Sequence, residues 1–230
     1  MKAVIPCAGE GVRMRPLTLT TPKQLLEIGG KPILVHIFEN LPDEIDEVVL
    51  VVNYFKEQIH DYFGEEFLGK KIRYVEQKNK SGTAGALWLC RELLGNERFL
   101  MLYGDDILDK ESIDKCLRHK LSILVKEVED PRRFGVVVAD EKGRVLELVE
   151  KPEIPPSNFA STGVKVLDSR IFDYPAHQHS NGEFYITDSL ARLAKDHDVF
   201  VEHAEMWLSV ATPEDLKRID ENLKALAGKV

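Results

Sequence analysis

Directly behind the apolar run KAVIPC, residues 8–34 read AGEGVRMRPLTLTTPKQLLEIGGKPIL. Gly9 and Gly11 let a backbone turn tightly and bring its amide N–H groups close to an anion, and Arg13, Arg15 and Lys23 add positive charge beside them. A dinucleotide fingerprint fits poorly, because Met14 holds the place of its third glycine and the next strand ends in Asn53, where an acid would hold a ribose. A P-loop fails as well, since no lysine followed by Ser or Thr closes a GxxxxG run. Asp105, after RFLMLYG, puts a carboxylate at the carboxyl end of a strand, where open α/β sheets bind ligands; alone, it reads as a turn residue. His177 and His179 form an HxH within PAHQHSNGE, which reads as a flexible polar loop without obvious further metal ligands. Cys7, Cys90 and Cys116 lack any CxxC spacing and read as small buried residues.

The elements that must position these groups alternate through the first half. AVIPCA, EVVLVVN, IRYVEQ and RFLMLYGD read as buried strands, with ILVHIFENL, YFKEQIHDYF and TAGALWLCRELLG as helices between them. That order predicts right-handed crossovers and a mostly parallel sheet covered on both faces. The second half is β-rich: SILVKEV, FGVVVADEKGRVLELVEK with a DEKG hairpin turn, FASTGVKVLD and VFVEHAEMWLSV, with ITDSLARLAKDH as a helix between the last two. A last helix begins at the Thr212 cap with Pro213 at its first position, stops at Gly228, and aligns Leu216, Ile219, Leu223 and Leu226 on one face.

The 230 residues suit one folding unit, and the net charge of −8 without a basic stripe argues against nucleic-acid binding. No apolar stretch approaches a membrane span, and the start does not look like a secretory signal, so the expectation is a cytoplasmic chain.

The stretch 8–34 resembles, without a gap, the signature GxGxRxxPLTxxxPKxLLxIxGKPxL of the sugar-1-phosphate nucleotidylyltransferases. GTAGAL, GDD, FGVV, EKP, STGVKVL and GEFYITDSL follow in that family's order. The resemblance implies a Rossmann-like three-layer α/β nucleotidyltransferase fold with a mostly parallel central sheet. It implies a single domain over 1–230, with a nucleotide-binding half at 1–110 and a sugar-binding half with a C-terminal helix at 111–230. It further implies joining of a nucleoside triphosphate to a sugar 1-phosphate, release of pyrophosphate and use of Mg2+; a homo-oligomer is compatible with this.

By similarity, Ala8, Gly9, Gly11, Arg13, Gln77, Gly82 and Thr83 bind the nucleotide. Arg13 steadies the β and γ phosphates, Lys23 neutralises the attacked centre and Asp105 binds the metal. Glu150 and Lys151 hold the sugar hydroxyls and the sugar phosphate, and Gly135, Thr162 and Gly163 bring backbone close to the sugar ring. Arg13, Lys23, Asp105 and Lys151 are the implied catalytic set. Asp106 reads as solvated or as an outer neighbour of the metal. Glu183 and Asp188 fall where the family places carboxyl groups near the sugar or around the metal, and capping of the next helix by Thr187 or Asp188 accounts for this stretch equally well. GTAGAL looks most like the guanylyltransferase branch.

One departure stands out. The family's second metal ligand is an aspartate near the C-terminus, and this chain has Ser209 there, in MWLSVATPEDL, with Ala211 in place of a glycine. A neutral hydroxyl is a weaker ligand than a carboxylate, so the readings left open are slower or differently metallated turnover, an engineered substitution, compensation by Asp106 or Asp188, and a nucleotide-sugar-binding regulatory protein that has lost catalysis. Cytidylyl transfer to phosphocholine or a similar alcohol phosphate is the second enzymatic reading, since that branch shares much of the opening signature.

Overall fold

A computed structural model describes residues 1–227 and their side chains through residue 222, so that Leu223, Leu226 and Gly228 of the expected last helix fall outside the side chains described. β1 (Lys2–Pro6) leads through three short 3-10 turns to a small hairpin, β2 (Glu27–Ile28) and β3 (Lys31–Pro32). There follow α1 (Ile33–Glu39), β4 (Glu47–Val52), α2 (Lys56–Phe63), β5 (Glu66–Phe67), β6 (Lys70–Glu76), α3 (Gly82–Leu89), α4 (Arg91–Leu94) and β7 (Phe99–Met101). Beyond it come β8 (Asp106–Leu108), α5 (Lys110–Leu117), β9 (Ser122–Glu127), β10 (Gly135–Ala139), β11 (Val145–Glu150) and β12 (Phe159–Leu167). The chain closes with α6 (Ile186–Asp196), β13 (Phe200–His203), β14 (Trp207–Ser209) and α7 (Pro213–Ala227).

The centre of the main sheet, β7–β1–β4–β6, is parallel, as buried strands joined by helices require. Antiparallel β12 continues it beyond β7, so one sheet crosses residue 110 and carries β9, β10, β11 and β13. Successive residues of β1 feed opposite faces: Ala3 and Ile5 pack with α1 and α2, and Val4 packs with α3 and α6. These are the three layers expected.

Three details differ from the sequence reading. VFVEHAEMWLSV divides: β13 runs parallel beside β9 in the main sheet, whereas β14 leaves it to pair antiparallel with β8, setting Ser209 opposite Asp106. The helix read across TAGALWLCRELLG breaks at Cys90 into α3 and α4. α5 escaped the reading altogether, although Asp109 caps it by accepting the Ser112 amide at 2.8 Å and Ile113, Cys116 and Leu117 form its buried face. At α7 the Thr212 cap is present: its hydroxyl accepts the Asp215 amide at 3.3 Å while Asp215 accepts the Thr212 amide at 3.0 Å, and Ile219 is buried.

Candidate functional site

The parallel strands end at a cavity of about 690 Å³, where Ala8 follows β1, Asn53 follows β4, Gln77 follows β6 and Asp105 stands beyond β7. The opposite wall comes from the second half of the chain and includes Gly135, Glu150, Lys151 and Tyr185.

In the loop after β1 the backbone amides of residues 8–11 donate no hydrogen bond among the described residues. Gly11 has φ 60°, and a methyl group there would meet the Thr18 methyl at 2.9 Å, so this glycine is required by the turn. Gly9 is different: a side chain there would meet nothing within 4 Å, and the space in front of its backbone is cavity. Arg13 lines the same space, exposed and without an ion pair or hydrogen bond among the described residues. Arg15 does not line it; its guanidinium faces Glu10 at 3.5 Å, and Glu10 also accepts Lys80 at 2.7 Å.

Lys23, 6% exposed, sends Nζ to Oδ2 of Asp105 at 2.5 Å. Of the two readings of Asp106, solvated or an outer neighbour of the metal, the first fails: Asp106 is buried and lines the cavity beside Asp105, because β8 begins there and folds against β14. Its Oδ2 accepts the Gly163 amide at 3.0 Å. Burial, and then the neighbouring Asp105 charge, pushes its carboxyl up to about 7, against the opposing influence of Ser209, Trp207 and Lys23. Asp105, Asp106 and Ser209 thus offer only oxygen donors, the chemistry that suits a hard dication such as Mg2+.

The loop before α3 is consumed by packing. Gln77 donates to the Ser81 hydroxyl at 2.9 Å and the Gly82 carbonyl at 3.1 Å. Gly82 has φ 70°, and a methyl group there would lie 2.5 Å from the Phe184 carbonyl oxygen. The Ala84 amide donates to that same oxygen at 3.0 Å, so this first-turn donor of α3 is held by protein. The Thr83 hydroxyl accepts the Ile186 amide at 3.1 Å and thereby ties α3 to α6. All three residues line the cavity, but what their contacts join is the two halves of the chain.

On the opposite wall Lys151 Nζ lies 3.0 Å from Glu150 Oε1 and 4.1 Å from the centre of the Tyr185 ring. Burial disfavours its charge, but Glu150 and Tyr185 outweigh that and hold the ammonium above its ordinary range. Gly135 leaves room for Glu150 and Thr187, which a side chain would approach to about 3.3 Å. Thr162 and Gly163 do not line the cavity: the Thr162 hydroxyl donates to the Leu124 carbonyl at 2.9 Å inside the sheet, and Gly163 packs on Tyr103. Tyr185, within the GEFYITDSL motif, lines this wall although the sequence assigns it no role. The three cysteines are buried and free, as expected, and burial pushes the thiols of Cys90 and Cys116 up to about 12.

Comparison with known proteins gives this arrangement its context. The chain is 38% identical over 226 residues to the bifunctional protein GlmU of Methanocaldococcus jannaschii, covering 97% of itself and 54% of that protein. It thus spans about half the length of that relative. It is 35% identical to the UTP–glucose-1-phosphate uridylyltransferase AglF of Haloferax volcanii, with 97% of each chain covered. Among solved structures, a Bacillus anthracis protein provisionally assigned as a glucose-1-phosphate thymidylyltransferase superposes with a TM-score of 0.86 at 28% identity, covering 96% of this chain and 94% of that one. A family model described as nucleotidyl transferase matches residues 2–225, and with relatives this similar along nearly the whole sequence the chain belongs to that family.

Proposed function

We propose that the protein transfers a nucleotidyl group from a nucleoside triphosphate to a sugar 1-phosphate, giving a nucleoside diphosphate sugar and pyrophosphate. One observation carries this reading: one cavity joins an open glycine loop, with an Arg13 that has no partner among the described residues, to a Glu150–Lys151 pair from the other half of the chain. The first suits a polyphosphate, and the second suits a phosphate carried on a hydroxylated ring. The names of AglF and of the Bacillus anthracis protein support it, since both denote transfer to glucose 1-phosphate.

In the reaction a phosphate oxygen of the sugar 1-phosphate attacks the α-phosphorus of the triphosphate as the bond to pyrophosphate breaks on the opposite side. No covalent enzyme intermediate is needed, so the protein's work is positioning and neutralisation of charge. The backbone at Ala8 to Gly11 receives the phosphates, Arg13 draws on the β and γ groups, and Lys23, fixed in place by Asp105, meets the charge that builds at the attacked centre. Lys151, oriented by Glu150 and Tyr185, holds the incoming phosphate. Mg2+ bound by Asp105 and Asp106, with the Ser209 hydroxyl beside them, would supply further neutralisation of phosphate charge. In this reading Asp106 provides the carboxylate that Ser209 lacks, because the β8–β14 register sets the two residues side by side.

The test is pyrophosphate release with Mg2+ across a matrix of nucleoside triphosphates, GTP included, and sugar 1-phosphates, with CTP and phosphocholine run beside it. Turnover with at least one sugar 1-phosphate is expected. Turnover confined to phosphocholine would replace the acceptor, and tight binding of a nucleotide sugar without turnover would make the chain a regulatory binding protein.

A further inference from the structure

The polar stretch 175–183, which meets the cavity at Glu183, is not an open loop. Gln178 bridges to Phe184 in antiparallel fashion, the His179 amide donates to the Glu183 carbonyl at 2.9 Å, and the Gly182 amide returns to the His179 carbonyl at 2.9 Å. Two residues apart on the arm of this turn, His177 and His179 project the same way, with their rings stacked at 4.3 Å between centroids. Both meet Asp188, which the first turn of α6 supplies: Nε2 of His179 lies 2.8 Å and Nδ1 of His177 3.3 Å from its Oδ2. The ligand atoms of the three residues all fall within 4.8 Å of one another.

That arrangement is the donor set of a transition-metal ion. Bonds of about 2.0–2.2 Å at tetrahedral angles separate ligand atoms on one zinc ion by about 3.3–3.6 Å; His177 Nδ1 already stands 3.3 Å from Asp188 Oδ2, and His179 Nε2, at 2.8 Å, would withdraw by about half an ångström as the ion replaces the hydrogen bond. Two imidazoles and one carboxylate favour Zn2+ and its borderline neighbours over Mg2+, which prefers oxygen ligands. The charge balance agrees, since the only ion-pair partners of Asp188 among the described residues are these two imidazoles, and no lysine or arginine competes for it. The His177 side chain is 55% exposed, which leaves an entry route and room for water as a further ligand, whereas Asp188 is 12% exposed and firmly anchored.

We propose that His177, His179 and Asp188 form a binding site for Zn2+, separate from the oxygen-donor cluster at Asp105 and Asp106, that pins the turn at 177–183 to the start of α6. The site adjoins the cavity wall, because the His179 ring stands edge-on to Tyr185 at 4.7 Å and Tyr185 in turn faces Lys151. Its existence does not depend on the proposed reaction.

The experiment is calorimetric titration of the metal-stripped full chain with Zn2+ in excess Mg2+, which occupies hard oxygen sites. The native chain is expected to take up one Zn2+ with a dissociation constant of about a micromolar or tighter, and to melt at a higher temperature with zinc bound. The double variant His177→Ala/His179→Ala should bind at least about thirtyfold more weakly and lose the thermal shift. Should that variant fail to fold, substoichiometric Cu2+ added to the native chain must selectively broaden the imidazole proton signals of His177 and His179. No zinc uptake by the native chain, undiminished uptake by a folded double variant, or broadening that spares these two imidazoles would each overturn the proposal.

Discussion

Gly9, in the loop after β1, and Gly82, at the first position of α3, both line the cavity, yet a methyl group on Gly9 would meet nothing within 4 Å, while one on Gly82 would lie 2.5 Å from the Phe184 carbonyl oxygen. Around Gly9 the backbone amides of residues 8–11 and the Arg13 side chain have no partner among the described residues. Around Gly82 they are committed, with Gln77, Thr83 and the Ala84 amide all bonded to protein. Two motifs that look alike as text therefore do different work. The first leaves backbone amides and charge facing the cavity, and the second ties the segment around Phe184 and Ile186 to the start of α3.

Lysines show the same contrast. Lys23 and Lys165 are both buried, but Lys23 reaches the cavity and pairs with Asp105, whereas Lys165 lies inside the sheet. Lys165 donates to the Thr162 carbonyl at 2.8 Å and stands over the Tyr103 ring at 4.6 Å.

Substitutions should separate the two kinds of residue. Lys23→Ala removes the cation at the proposed attacked centre and is expected to lower turnover by about 10²–10³-fold while the chain still folds; steady-state rates beside a thermal melt would check both parts. Gly82→Ala is expected to cost roughly 3 kcal/mol of stability, from left-handed backbone strain and the collision with Phe184, as measured by urea unfolding.

Lys165 should report through pH. Burial holds its ammonium down to about 8 from an ordinary 10.5. Between those values the unfolded chain binds more protons than the folded one, so the contribution to stability rises with pH through this window and is lost as pH falls through 8. Between pH 7 and about 9.5 the native chain should gain about 2 kcal/mol relative to Lys165→Met, which lacks the titrating group. The smallest effect belongs to Gly9→Ala, for which stability should stay within about 0.5 kcal/mol of native while kcat/KM falls about tenfold, since the methyl occupies ligand space only.

Much of this was legible in the sequence because the governing signals are local. The parallel core follows from short apolar runs alternating with amphipathic helices, and the glycine loop with its cations follows directly from residues 8–34. What escaped depends on pairing between distant segments. Locally Asp106 reads equally as solvated or as an outer neighbour of the metal, and only the β8–β14 ladder, joining residues about a hundred positions apart, buries it against Ser209. Thr162 and Gly163 looked like ligand contacts because nothing local shows that β12 turns the Thr162 hydroxyl toward β9. HxH looked bare because its third partner, Asp188, lies across a turn on a helix.

In the proposed mechanism Asp106 supplies the metal-binding carboxylate that the resemblance places at position 209, where this chain has Ser209. The most direct test measures pyrophosphate release by Asp106→Asn and by the double variant Asp106→Asn/Ser209→Asp. Loss of about 10²-fold in the single variant, with most of it recovered when the carboxylate is moved across the ladder to position 209, is the predicted result. A single variant that turns over like the native chain would show that Asp106 carries no part of the site.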